Sequence, residues 1–104
     1  MHARNVTLNL KADSTAAFTK TLEQDVLPVL RKQAGFKDEI SFVAANGKEV
    51  VAISLWDTKD NAERYSRETY PAVLKSLQDV VEGTPMVKSF DVANSTFHKI
   101  AAQI

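Results

Sequence analysis

The chain has no cysteine. That excludes a disulfide framework, a thiol nucleophile and a cysteine-based metal centre. Its two histidines, His2 and His98, stand near opposite ends of 104 residues, which argues against a dedicated zinc site. Neither sign of charge is in surplus, since 13 Lys and Arg offset 13 Asp and Glu. A nucleic-acid binder would show a basic excess, and charge gives no argument for a membrane surface. No apolar run is long enough for a signal peptide or a membrane span; Met1-His2-Ala3-Arg4-Asn5 leads straight into a strand pattern. Neither a nucleic-acid partner nor a membrane is expected, and a cytoplasmic location is the default. We find no Ser-His-Asp arrangement, no phosphate-binding glycine loop and no acidic cluster with metal spacing. No cofactor and no metal are expected.

What is present fits one globular domain over 1–104, with a core of about 5–94 and a tail over 95–104. The apolar fraction of 44% and charged fraction of 25% are ordinary for that class. No linker, low-complexity segment or charge run divides the chain.

Val6, Leu8 and Leu10 alternate with Asn5, Thr7 and Asn9, the period of two of a strand with one apolar face. Asp13 and Ser14 offer cap oxygens to a helix whose stripe is Phe18, Leu22, Val26, Val29 and Leu30. Pro28 lies inside that pattern and predicts a kink. Gly35 ends the helix in the manner of a left-handed cap. Two strands follow, 36–44 and 49–56, separated by Asn46-Gly47, a dipeptide suited to a type I′ turn. A two-residue loop sets Val43 opposite Val50, Phe42 opposite Val51 and Ile40 opposite Ile53. Asp57 or Thr58 caps a second helix carrying Ala62, Tyr65 and Thr69. Pro71 restarts that helix as a first-turn proline, and Val73, Leu74, Leu77 and Val81 continue its stripe. Gly83 and Pro85 close it. The last strand is expected over 86–94, and Phe97 and Ile100 are candidate anchors for the tail. The order strand–helix–strand–strand–helix–strand makes this a ferredoxin-like α+β fold. Its antiparallel four-stranded sheet takes the order 4-1-3-2, with both helices on one face.

The hairpin sorts its residues into two sets. Ile40, Phe42, Val51, Ile53 and Leu55 are large and are expected under the helices together with Val6, Leu8 and Leu10. Ser41, Val43, Val50, Ala52, Ser54 and Trp56 then share the other face with Asn5, Thr7 and Asn9. That face is too apolar to stay wet and too small-chained for an ordinary core. Either a second copy covers it, leaving a cavity over the small residues, or it is a mildly apolar exposed sheet. A two-fold homodimer is the commonest way to cover such a face.

Three segments resemble one family. Ala34-Gly35-Phe36, the run from Ile53 to Tyr65 (Ile-Ser-Leu-Trp-Asp-Thr-Lys-Asp-Asn-Ala-Glu-Arg-Tyr), and Gly83-Thr84-Pro85-Met86-Val87 are similar, in order and spacing, to the dimeric α/β-barrel superfamily, and within it to the antibiotic biosynthesis monooxygenase (ABM) domain. The likeness covers about 5–94. It implies a sheet-to-sheet dimer with ligand pockets between the sheet and the second helix. Some members oxygenate aromatic polyketides or quinol-like substrates with dioxygen and without metal or flavin; others degrade haem. The haem branch uses a strand-one asparagine, an aromatic in the second helix and a histidine about three turns on. Asn5 and Tyr65 fall at equivalents of the first two positions, with tyrosine in place of tryptophan, but the third falls near Lys75, and 71–78 holds no histidine. A protonated lysine cannot ligate iron, so haem degradation is not expected.

The candidate catalytic residues are Asn5, Trp56, Tyr65 and Tyr70, and Thr7, Asn9, Ser41, Val43, Ala52 and Ser54 are candidate pocket residues. Trp56 would stack on a flat substrate, or else fill space at the barrel end. Asn5 would polarise a substrate oxygen, or else bond a neighbouring loop. Tyr65 or Tyr70 would donate to a quinone-like oxygen, or else keep its hydroxyl in water on a helix face. Arg64 and Arg67 belong to a solvated face with Glu63 and Glu68, and His98 to the tail. The expected function is cofactor-independent oxygenation of a small aromatic or quinol. The rival is a non-catalytic dimeric module that binds a small hydrophobic ligand or has a structural or stress-related role.

Overall fold

The structure, a computed structural model, describes residues 1–97. His98 and Ile100 lie outside the described residues, and Phe97 is 86% exposed, so it anchors nothing to the core. The chain runs β1 (His2–Leu10), α1 (Thr15–Thr21), a π-helical turn (Leu22–Val26), α2 (Leu27–Arg31), β2 (Phe36–Val43), β3 (Glu49–Trp56), α3 (Lys59–Glu68), α4 (Tyr70–Leu77) and β4 (Val81–Asp91). The sheet order is β2-β3-β1-β4 with every neighbouring pair antiparallel, the expected 4-1-3-2 read from the other edge. No helix among the described residues is long and apolar enough to cross a membrane.

Local chemistry accounts for the breaks. Pro28 would press its ring on the carbonyl four residues back in a regular helix. The turn before it widens instead, and the Leu27 N–H bonds the Leu22 carbonyl five residues earlier. Pro71 sits in the first turn of α4, as expected. Thr58 caps α3 by accepting from the Asn61 N–H at 3.2 Å. Ser14 does not cap α1: its hydroxyl donates to the Ala12 carbonyl at 3.2 Å.

The hairpin has the expected register, with Val43 opposite Val50, Phe42 opposite Val51 and Ile40 opposite Ile53. Its turn differs. Asn46 is not among the described residues with positive φ, so the type I′ turn does not form. The Gly47 N–H bonds the Ala44 carbonyl and the Ala44 N–H bonds the Glu49 carbonyl, both at 2.8 Å, closing a loop over 45–48. Gly47 alone takes the left-handed backbone there, at φ 71°. Asn46 acts through its side chain, whose Oδ1 accepts from the Lys48 N–H at 2.8 Å. The last strand also departs from expectation. It starts at Val81, paired with Leu10, and ends at Asp91. Gly83, at φ 74°, and Pro85 lie within it, where the register against β1 shifts between Thr7 and Asn9. An edge strand tolerates a proline at such an irregularity.

The face assignment is half inverted. In an antiparallel pair, directly opposed residues share a face. Val6 opposes Ala52, Leu8 opposes Val50, Arg4 opposes Ser54 and His2 opposes Trp56. The small set of β3 therefore joins Val6 and Leu8 under the helices. Ile40, Phe42, Val51, Ile53 and Leu55 look outward with Asn5, Thr7 and Asn9. The error lay in taking the larger side chains as the core set. The helices supply the bulk: Phe18, Val26, Leu30, Ala62, Tyr65, Val73 and Leu77 pack on Val6, Leu8, Leu10, Val50 and Trp56.

Candidate functional site

Between the inner face of the sheet and the two helical arms lies a half-open cavity of about 50 Å3. Val6, Leu8 and Ala52 line it from the sheet, and Phe18, Leu22, Val26, Val73 and Leu77 from the helices. Into this apolar wall project Arg4, Glu39, Ser54, Tyr65 and Tyr70. The period of two puts Arg4 on the buried side of β1, between His2 and Val6. Tyr65 shares the buried side of α3 with Ala62, one turn earlier. Tyr70 opens α4 just after the break at Thr69.

The aromatic side chains form a column. Phe36 meets Trp56 edge-on at 5.6 Å, and Trp56 stacks on Tyr65 at 4.9 Å with 29° between planes. Tyr70 lies 6.1 Å beyond Tyr65. The indole N–H of Trp56 donates to Ser54 Oγ at 2.9 Å, satisfying the one polar atom of that buried ring. Arg4 closes the column, its Cζ 5.1 Å from the Tyr65 ring centre and 4.4 Å from that of Tyr70. Its side-chain hydrogen bond runs to Ser66 Oγ at a long 3.5 Å. The Tyr70 hydroxyl is buried without a hydrogen-bond partner.

Burial lowers the Arg4 pKa, an effect the two phenols partly offset. A guanidinium nonetheless stays charged at neutral pH. Burial pushes Tyr65 up to about 12 and raises Tyr70, so both are neutral donors, not bases. Burial also raises the Glu39 pKa, partly opposed by the hydrogen bond from Ser41. Among these groups Glu39 is the one able to act as a proton acceptor.

The ten residues selected from the sequence separate. Tyr65, Tyr70, Ala52 and Ser54 come together at the cavity. Trp56 lies behind Tyr65, fully buried, as a packing neighbour of the wall. Ser41 opposes Ala52 on the inner face and binds Glu39, while Val43, opposite Val50, is 38% exposed at the hairpin end. Asn5, Thr7 and Asn9 belong to the outer face, because their partners are Ile53, Val51 and Glu49; the cavity is not theirs. Arg4 and Glu39 were missed. The signal for Arg4 was its parity with Val6 and Leu8, and for Glu39 its parity with Ser41.

No family model matches the chain, and no curated protein sequence matches it. Solved structures do. A monooxygenase from Streptomyces coelicolor, the product of ActVA-Orf6, in complex with nanaomycin D, is 16% identical. The match covers 90% of this chain and 88% of that one, with a TM-score of 0.75. SnoaB, a cofactor-independent oxygenase from Streptomyces nogalater, is 15% identical over 91% of this chain and 96% of its own, with a TM-score of 0.71. An antibiotic biosynthesis monooxygenase is 12% identical over 88% and 98%, with a TM-score of 0.68. The fold is thus the one seen in these solved monooxygenase structures.

Proposed function

We propose that the chain is a cofactor-independent monooxygenase that binds a small aromatic or quinol-like substrate in the cavity under the sheet. The observation that carries this reading is the concentration of Arg4, Tyr70 and Glu39 in an otherwise apolar cavity. An electron-rich ring would pack on the apolar wall. Glu39 would take the proton that turns it into a phenolate or enolate, and the Arg4 charge would stabilise the oxyanion. The substrate itself would reduce dioxygen. For an anthrone-type carbon, CH2 becomes C=O, one oxygen atom stays on carbon and the other leaves as water. The fold shared with SnoaB, a cofactor-independent oxygenase, supports the same chemistry. Tyr65 and Tyr70 keep their proposed role as donors at the cavity wall, whereas Trp56, behind Tyr65, does not reach a substrate and serves to hold the Tyr65 ring.

We propose further that a second copy covers the outer sheet face. Ile40, Phe42, Met86 and Phe90 stand exposed there, around Val51, Ile53 and Leu55. Exposed apolar residues on both flanks of the polar Asn5, Thr7 and Asn9 stripe of β1 are characteristic of an interface, and a two-fold homodimer covers them in both copies at once.

One observation favours the rival, a non-catalytic module. The enclosed volume of about 50 Å3 is well short of the roughly 150 Å3 that holds a benzene ring. A substrate must therefore enter along the open side and displace side chains. The deciding experiment is dioxygen uptake by the purified protein with a panel of small quinols and anthrones. The expected result is one dioxygen consumed per anthrone converted, above the rate without protein. Uptake no faster than autoxidation across the panel overturns the oxygenase reading in favour of the module.

A further inference from the structure

Arg4 is 3% exposed, yet no carboxylate pairs with it. The ion pairs among the described residues are His2 with Asp91 and Lys59 with Glu63. A buried charge without a counter-ion is expensive, and a guanidinium cannot escape by losing its proton. The two phenol rings compensate in part through their π faces, and the Ser66 contact is long. The Tyr70 hydroxyl, in the same cavity, makes no hydrogen bond of good geometry, although it lies against the Arg4 guanidinium. The buried guanidinium is therefore surrounded by neutral groups, the two phenols and Ser66, and by no paired anion. Glu39 does not fill that role: its carboxylate is bonded by Ser41, not by Arg4.

We propose that Arg4 makes this cavity a receptor for an anionic head group, so that the ligand is a small aromatic carboxylate. This rests on the cavity being the binding site, as proposed above, and adds the charge of the ligand. An ionised carboxylate brings acceptors and no donors. It can take two parallel N–H bonds from the edge of the guanidinium and a third from the Tyr70 hydroxyl. The ring attached to it meets Val6, Leu8, Phe18 and Val73. A neutral amide of the same shape brings two N–H donors to a pocket already rich in donors, and is disfavoured.

The test compares benzoate with benzamide at pH 7 on the full wild-type chain, by calorimetry and by the emission of Trp56. That indole stacks on Tyr65, which borders Arg4, so it reports occupancy from the next position in the column. The expected result is benzoate binding at least tenfold tighter than benzamide, with the preference lost in Arg4→Met and partly kept in Arg4→Lys. Equal or tighter benzamide binding overturns the anion assignment and leaves the cavity as a binding site. An undiminished benzoate preference in folded Arg4→Met overturns it too. If neither molecule binds the wild type, this inference and the binding reading fall together. If Arg4→Met does not fold, the wild-type pair still decides. Benzoate binding without dioxygen uptake in the panel above leaves the anion site standing and removes the oxygenase.

Discussion

On the inner face of the sheet Val50 is 0% and Ser54 8% exposed, whereas on the outer face Ile40, Phe42, Met86 and Phe90 stand at 47%, 53%, 64% and 50%. Four large apolar side chains thus stand wet on one face while even the Trp56 indole on the other is fully buried. The inner face can be small because Phe18, Leu30, Tyr65 and Leu77 bring the volume from the helices. Where they do not fill it, over Ala52 and Ser54, a cavity is left with Arg4 at its wall. The outer face has no helix above it, so in the single chain its large residues stand in solvent. One sheet thus carries a packed core with a pocket on one side and an exposed, partly apolar face on the other.

The sharpest way to break this comparison is to remove bulk from each face in turn. Trp56→Ala takes a fully buried ring from the column and is expected to cost about 3–5 kcal/mol. Phe42→Ala, measured on protein dilute enough to be monomeric, should cost less than about 1 kcal/mol, since its ring is half exposed already. Urea denaturation of both gives the answer. Equal losses would mean that the outer face is as much a core as the inner one.

A charge on the outer face tests assembly instead of folding. Ile53→Lys, opposite Asn5 and Ile40, should leave the monomer's stability within about 1 kcal/mol of wild type and abolish the dimer, because the new charge would be buried without a partner. Sedimentation at micromolar concentration reads the outcome. A variant that stays dimeric, or a wild type that is monomeric, removes the outer face as an interface.

A smaller effect comes from the inner face and depends on pH. Burial raises the Glu39 pKa above its ordinary 4.5, so the folded chain holds that proton more tightly than the unfolded chain. The resulting stability is complete below 4.5 and is lost as pH rises through the higher folded value. Glu39→Gln should flatten that decline. Denaturation midpoints at several pH values between about 4 and 8, a span on either side of carboxylate titration, should fall less steeply with pH in the variant. Parallel curves would mean that the carboxyl is solvated.

The element order and the hairpin register were legible because their signals are local: a period of two, a period near 3.6, and a glycine between two β-rich runs. The turn type was not, because Asn46 can serve through its side chain as well as through its backbone, and the pairing of Val43 with Val50 is the same either way. The face of the hairpin was not legible either. It depends on how β3 aligns with β1, two strands joined through 38 intervening residues, 11–48, in which no residue records the register. Once Val6 opposes Ala52 the rest follows, including the burial of Arg4. Arginine is usually solvated, and only the parity of Arg4 with Val6 and Leu8 points to its burial. The start of β4 was hidden by Gly83 and Pro85, which read as a stop and act as an irregularity in an edge strand.

Tyr70→Phe carries the smallest expected change in stability and separates a pocket from a core most cleanly. In a core, a buried hydroxyl is retained because it is bonded, and deleting it costs about 1 kcal/mol. The Tyr70 hydroxyl makes no hydrogen bond of good geometry, so its desolvation is offset only in part, by the nearby Arg4 charge. Removing one oxygen leaves the ring against Tyr65 and under the Arg4 guanidinium. Stability should therefore stay level or rise by up to about 1 kcal/mol. Ligand binding should move the other way, because the hydroxyl is then missing as a donor to the occupant. A variant at least as stable as wild type that binds benzoate or turns over an anthrone several-fold less well assigns the hydroxyl to the occupied cavity. A variant that loses stability and keeps both properties assigns it to packing, and with it the wall of the cavity that Tyr70 forms.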